Sequence, residues 1–171
     1  MGMAREGTFQ IGSSKTAKGN PFYWAQISAT NCDRQLLDRC ETIAGGYVTG
    51  PIGRRLVGLA RPAFRWELKA KNIDAALPNF LPHLVGKRHQ AEIIRNFRSG
   101  IDVGAKAGCL GRAQLSRETT TLRERYKLAI HALNHRGSAP PNPKHIEALR
   151  GLNPDYVALH ELRRTTIGMP L

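Results

Sequence analysis

The sequence predicts an α+β fold: four strands in one sheet, helices packed on one side of it, and a further helix appended. Three observations lead there. Segments of period-two and of helical spacing follow one another in the order β-β-α-β-β-α-α before a last helix. The best-defined strands keep their apolar residues on one face, leaving the other polar. The chain has 171 residues, 41% hydrophobic and 23% charged, which suits a globular domain that buries a core without cross-links.

Thr8 to Ile11 alternates, with Phe9 and Ile11 on one face. Lys15 to Pro21 is polar and contains Gly19, the composition of a hairpin loop. Phe22 to Ser28 alternates again, with Tyr23, Ala25 and Ile27 on one face and Phe22, Trp24, Gln26 and Ser28 on the other, so the two segments make a β-hairpin. Asn31 or Asp33 caps the helix that follows. Leu36, Leu37, Cys40 and Ile43 form its apolar stripe, and Gly45-Gly46 ends it. Tyr47-Val48-Thr49 restarts a strand, and the loop from Gly50 to Pro62 carries Arg54, Arg55 and Arg61. Ala63 to Lys69 is the clearest strand, with Phe64, Trp66 and Leu68 facing one way and Arg65, Glu67 and Lys69 the other.

Asn72 to Phe80 reads as a short helix interrupted at Pro78. A stronger helix spans Val85 to Phe97, burying Gln90, Ile93, Ile94 and Phe97. Ser99 to Arg112 is Gly-rich and reads as a mobile connection. A helix from Leu115 to Arg136 follows, with Ser116 as N-cap, Gly137 as C-cap and a stripe of Leu122, Tyr126, Ala129, Ile130 and Leu133. Ala139 to Pro143 breaks the chain ahead of an amphipathic piece from Lys144 to Leu152. The organisation expected is a core over 1–98, a connection over 99–114, a C-terminal helix over 115–137 and an extension of unassigned role over 138–171.

Lys and Arg number 26 against 13 Asp and Glu, a formal net charge of +13, which favours a polyanionic partner. The three cysteines, Cys32, Cys40 and Cys109, are odd in number and form no C-x-x-C pair, so neither a disulfide framework nor a zinc knuckle follows. Free thiols suit a reducing cytosol. No apolar run approaches a membrane span of ~20 residues, and Met1 to Arg5 lacks a signal-peptide core. A cytoplasmic protein without a membrane partner is expected. No P-loop or G-x-S-x-G motif is present. His131 and His135 stand four apart, but without a third ligand nearby they read as helix-surface histidines. The outward sheet face, with Gln10, Trp24, Gln26, Ser28, Arg65, Glu67 and Lys69, is suited to reading a groove by hydrogen bonds.

Several stretches carry a family likeness: Glu6-Gly7-Thr8-Phe9; Ile27 to Asp33 followed by Leu36-Leu37; Phe64-Arg65-Trp66-Glu67-Leu68; and Leu81 to Glu92. In this order the chain resembles the LAGLIDADG homing endonucleases, especially the compact single-motif members. The stretch from Arg123 to Gly137 is similar to a tail helix of phage and bacterial relatives. The likeness covers Glu6 to Phe97 and Leu115 to Gly137. It implies a four-stranded antiparallel saddle-like sheet and site-specific hydrolysis of phosphodiester bonds in duplex DNA with a divalent cation, normally Mg2+. One copy of the motif implies a homodimer and a target of approximate two-fold symmetry. By the same likeness Glu6 is the carboxylate that holds metal, Gln26 orders solvent near it, and Lys87 positions water and stabilises developing phosphate charge. Gln10, Trp24, Ser28, Arg65, Glu67 and Lys69 become DNA contacts, while Arg54, Arg55 and Arg61 grip backbone phosphate. The chain departs from the pattern before Glu6, where Met1 to Arg5 stand in place of the family's signature helix, truncated or divergent, and again after Arg98. Two alternatives are a non-cleaving protein that binds DNA or intron RNA, like a degenerate homing endonuclease or maturase, and a basic RNA-binding structural protein.

Overall fold

The computed structural model describes residues 7–17, 19–52, 62–106, 115–135 and 140–158, with the backbone alone for 101–106. The elements are β1 (Gly7–Lys15), β2 (Pro21–Asn31), α1 (Arg34–Ala44), β3 (Tyr47–Ile52), β4 (Ala63–Lys69), α2 (Lys71–Phe80), a 3-10 turn (Leu81–His83), α3 (Arg88–Lys106), α4 (Arg117–Asn134) and α5 (Pro143–Leu152). The four strands form one sheet in the order β1-β2-β4-β3. β4 is antiparallel to both β2 and β3. The α+β expectation holds, strand for strand.

The chain divides into two compact units, one of Met1–Gln10 and Trp24–Arg95, the other of Ile11–Tyr23 and Asn96–Leu171. In the first unit the alternation of β2 and β4 puts Ala25, Ile27, Trp66 and Leu68 inside. They share the interior with Leu37 and Cys40 of α1, Ile73, Ala76 and Leu77 of α2, and Ile93 and Ile94 of α3. α1 packs on β3 and β4, and α2 on β4. Asp33 is the cap of α1, accepting from the Leu36 N–H at 3.3 Å, while the Asn31 side chain accepts from the Asp33 N–H at 2.9 Å. Trp66 Nε1–H donates to the Gly45 carbonyl at 2.8 Å, tying the end of α1 to the centre of the sheet.

Ile43, expected inside, is 84% exposed. The buried side of α1 runs through Leu37, Cys40 and the half-buried Ala44. At about 100° per residue Ile43 falls on the flank of that line. α2 continues through Pro78 to Phe80 instead of stopping there. The bond that proline cannot make is to the Asp74 carbonyl, and both residues sit on an exposed turn where water can replace it. α3 begins at Arg88, leaving Val85 88% exposed, and runs to Lys106 across the first part of the expected Gly-rich connection. A Cβ at Gly100 would meet nothing, so that glycine lies on an open side of the helix, where it weakens the helix without breaking it. Phe64 is half-buried, with the Arg34 guanidinium 5.6 Å from its ring centre. The β3–β4 pairing is regular to Thr49 and then shifts register before Ile52.

The second unit is built on α4. Ser116 caps it, accepting from the Thr119 N–H at 3.1 Å. Its end is capped at His135, and Gly137 lies outside the described residues. Ala129 and Ile130 are buried as the stripe requires, Tyr126 and Leu133 are half-buried, and Leu122 is exposed. Ala132 is buried too, because α5 packs along α4 and covers a second side. On another side α4 meets the hairpin: Tyr23 OH donates to Glu124 Oε2 at 3.0 Å, and Lys127 Nζ to Ser13 Oγ at 3.1 Å. The Phe97 ring meets Tyr126 edge-on at 6.1 Å. Asn142 caps α5, and residues 154–158 are helical. No described helix is long and apolar enough to cross a membrane.

Candidate nucleic-acid interface

Because side chains alternate along a strand, burying Ala25, Ile27, Trp66 and Leu68 turns Trp24, Gln26, Ser28, Arg65, Glu67 and Lys69 to the opposite face. The pairing then sets their neighbours. Ser28 stands opposite Glu67 and Gln26 opposite Lys69, while across the other ladder Tyr47 stands opposite Glu67 and Thr49 opposite Arg65. Arg65 and Lys69 side chains are each 45% exposed, whereas Glu67 between them is 12% exposed. Gln10 is exposed on β1.

Glu67 is the hub of this face. Gln26 Nε2 donates to its Oε1 at 2.9 Å and Tyr47 OH to its Oε2 at 2.6 Å. Lys69 Nζ lies 2.7 Å from the same Oε2 and also donates to Tyr47 OH at 2.7 Å. Arg65 Nη1 is 3.8 Å from Oε1. An ionised carboxylate only accepts, so the Gln26 amide must present its nitrogen to Glu67. Burial pushes the Glu67 carboxyl up, but hydrogen bonds from Lys69, Tyr47 and Gln26 and the Lys69 charge outweigh it and hold the group below the usual glutamate range. The hydrogen bonds to Glu67 and Tyr47 raise the Lys69 ammonium in turn. The Lys69 ammonium also sits 5.4 Å from the centre of the Tyr47 ring.

Of the residues expected at the site, the structure brings Gln26, Arg65, Glu67 and Lys69 into one cluster and sets Ser28 beside it. Gln26, expected to order solvent, is 9% exposed and engaged by Glu67. Lys87 is half-buried in the turn ahead of α3, on a different element from the cluster. Beside it, Glu92 Oε1 accepts from Arg88 Nε at 3.1 Å, and His89 Nδ1 stands 3.4 Å from its Oε2. Glu6, Arg54, Arg55 and Arg61 lie outside the described residues. Tyr47 was not expected at the site. Period-two counting from Tyr47 groups it with Thr49, but only the register of β3 on β4 reveals that the pair faces Glu67 and Arg65. Among the described residues no group of three or more His, Cys, Asp or Glu could hold a metal ion. His131 stacks on His145 at 5.7 Å, and burial, then His145 and Lys127, lower its pKa.

The order of the strands, the helices on one face and the cationic face opposite define an architecture: the chain has the fold of the LAGLIDADG homing endonucleases. It is similar to I-CvuI in complex with the I-CreI target, at a TM-score of 0.60 and 13% identity over 88% of each chain. It is similar to the archaeal intron-encoded I-Vdi141I complexed with DNA, at 0.61 and 11% identity over 94% of this chain and 92% of that one. I-GzeII, a LAGLIDADG homing endonuclease in complex with its DNA target, matches at 0.54 and 13% identity, with 91% of this chain covering 47% of that one. No protein-family model matches the sequence, and no curated protein sequence matches it.

Proposed function

We propose that this protein is an intracellular, site-specific endonuclease that hydrolyses phosphodiester bonds in duplex DNA and works as a homodimer. The observation that carries the reading is the two-faced sheet. Its inner side is covered by α1 and α2, and its outer side presents Arg65 and Lys69, with Ser28 and Tyr47 beside them and Trp24 on the same face. Cationic and hydrogen-bonding side chains presented from adjacent strands suit a polyanionic duplex. The formal charge of +13 points the same way. I-CvuI and I-Vdi141I, which share the fold, hold DNA. The homodimer rests on size: this chain spans 92% of I-Vdi141I but 47% of I-GzeII, so a longer protein accommodates about two such lengths.

A divalent cation, Mg2+ in this reading, would activate water and neutralise the leaving oxygen. The described residues do not make a site for it by themselves. They hold no cluster of ligands, and the oxygens of Glu67 are taken by its neighbours. By the likeness to the family, the metal requirement rests on Glu6, with Lys87 as the cation that stabilises phosphate charge.

Purified protein incubated with its neighbouring genomic DNA is expected to give double-strand breaks that need Mg2+ and vanish in Glu6→Gln. Binding of duplex DNA is expected to weaken by about a thousandfold or more between 50 and 200 mM salt. Binding without cleavage, unchanged in Glu6→Gln, would remove the enzymatic part of the proposal. Preference for RNA over duplex DNA would remove all of it.

A further inference from the structure

Resting on the DNA-binding reading above, we propose that Glu67 and Tyr47 are positioning residues that hold Lys69 and Arg65 as a donor-only head specifying guanine. A lone carboxylate on a DNA-facing surface has two possible uses. It can accept from the cytosine amino group, or it can spend its lone pairs on the protein. The geometry chooses the second. A carboxylate has about four acceptor sites. Gln26 takes one on Oε1, Tyr47 and Lys69 take two on Oε2, and Arg65 lies over Oε1 at 3.8 Å. Glu67 is also only 12% exposed, while the two cations flanking it on the same strand face are each 45% exposed.

What Lys69 and Arg65, the most exposed of these side chains, can offer a base is therefore hydrogen-bond donors. Lys69 uses two of its three N–H groups, on Glu67 and on Tyr47 OH. Arg65 has five N–H groups in a planar fork, only one end of which approaches Glu67. Neither side chain has an acceptor. The base edge that matches donors alone is the guanine edge in the major groove, with N7 and O6 side by side as acceptors. Tyr47 closes the arrangement: its hydroxyl donates to Glu67 while accepting from Lys69, and its ring lies against the ammonium. Without this scaffold Lys69 is a flexible point charge that any phosphate could attract.

The proposal separates specificity from affinity, and that separation is its test. Glu67→Gln removes the one negative charge among Arg65, Glu67 and Lys69. The full-length chain and its Glu67→Gln and Tyr47→Phe variants would each be given a pool of random-sequence DNA duplexes, and the retained sequences read. Affinity for one random-sequence duplex would be measured across a salt series. The wild type is expected to enrich guanine at a fixed position of its retained sequences. Glu67→Gln is expected to reduce that enrichment by about tenfold. It should bind the random duplex more tightly, with a salt slope steeper by about one phosphate. Tyr47→Phe should relax the guanine preference and leave the salt slope unchanged. A purely structural role would move neither readout, and melting curves identify a variant that has not folded. An unaltered guanine preference in folded Glu67→Gln, enrichment of cytosine that is lost in that variant, or retained DNA with no guanine dependence would each overturn the inference while leaving DNA binding intact. A wild type that retains no DNA would overturn the proposed function as well.

Discussion

Gly45 and Gly46 both adopt positive φ, at +73° and +90°, but only Gly46 is pressed against the sheet. A Cβ built on Gly46 would lie 2.4 Å from the Glu67 carbonyl oxygen and 3.0 Å from Trp66 Nε1. A Cβ on Gly45 would meet nothing within 4 Å. Gly45→Ala thus carries the backbone cost alone, about 1–3 kcal/mol for a non-glycine residue in that region. Gly46→Ala carries a comparable backbone cost and a collision with main chain that no rotamer can relieve. Overpacking of this kind adds about 1–3 kcal/mol. Moving β3 away to relieve it would strain the Trp66–Gly45 hydrogen bond, at about a further 1 kcal/mol. Gly46→Ala is therefore expected to be less stable than Gly45→Ala by about 2–4 kcal/mol. Urea denaturation followed by circular dichroism measures the difference directly. Equal losses in the two variants would refute the claim that the approach of Gly46 to β4, rather than its dihedral angle, holds the end of α1 on the sheet.

Two further outcomes follow from burial and charge. Leu37→Ala should cost about 2–5 kcal/mol because Leu37 is 1% exposed, whereas Ile43→Ala, on the flank of the same helix, should change stability by less than about 0.5 kcal/mol in the same denaturation assay. Tyr23 is pushed from its ordinary 10.0 up to about 12, by burial first and then by its hydrogen bond to Glu124 and that residue's charge. A raised folded value means its contribution is complete below pH 10.0 and is lost as pH rises through about 12. Thermal melts across that interval should show a decline that Tyr23→Phe lessens, Tyr126 and Lys69 supplying the remainder.

The strands were legible because alternation is a local property. Tyr23, Ala25 and Ile27 on one face, and Trp66 and Leu68 on one face, could be counted from the sequence, and all five are buried. Caps were legible for a similar reason: Asp33 and Ser116 each need only the next few residues to act. The likeness on which the fold was expected drew on the same local stretches, and the sheet bears it out. The hub at Glu67 was not legible. It depends on β2, β4 and β3 meeting in one particular register, which residues distant in sequence decide together. Composition misled at residues 99–106, where glycine suggested a connection but α3 continues through Gly100 on an open side. Gln26 lies on the strand expected of it, whereas Lys87 falls in the turn ahead of α3 instead of inside the helix, and the roles inferred for both rest on Glu6, outside the described residues.

The register shift in β3 has a bearing on how copies of the protein can meet. β3 is the outermost ribbon next to β4, so among the described residues no strand lies along its far side. Pro51 has no amide hydrogen to give to a ladder, and the slip between Thr49 and Ile52 spoils the even spacing a visiting strand would need. Pairing of a second sheet along the stretch from Gly50 to Ile52 is therefore disfavoured. That side of the sheet is thereby less open to edge-to-edge fusion when molecules crowd together.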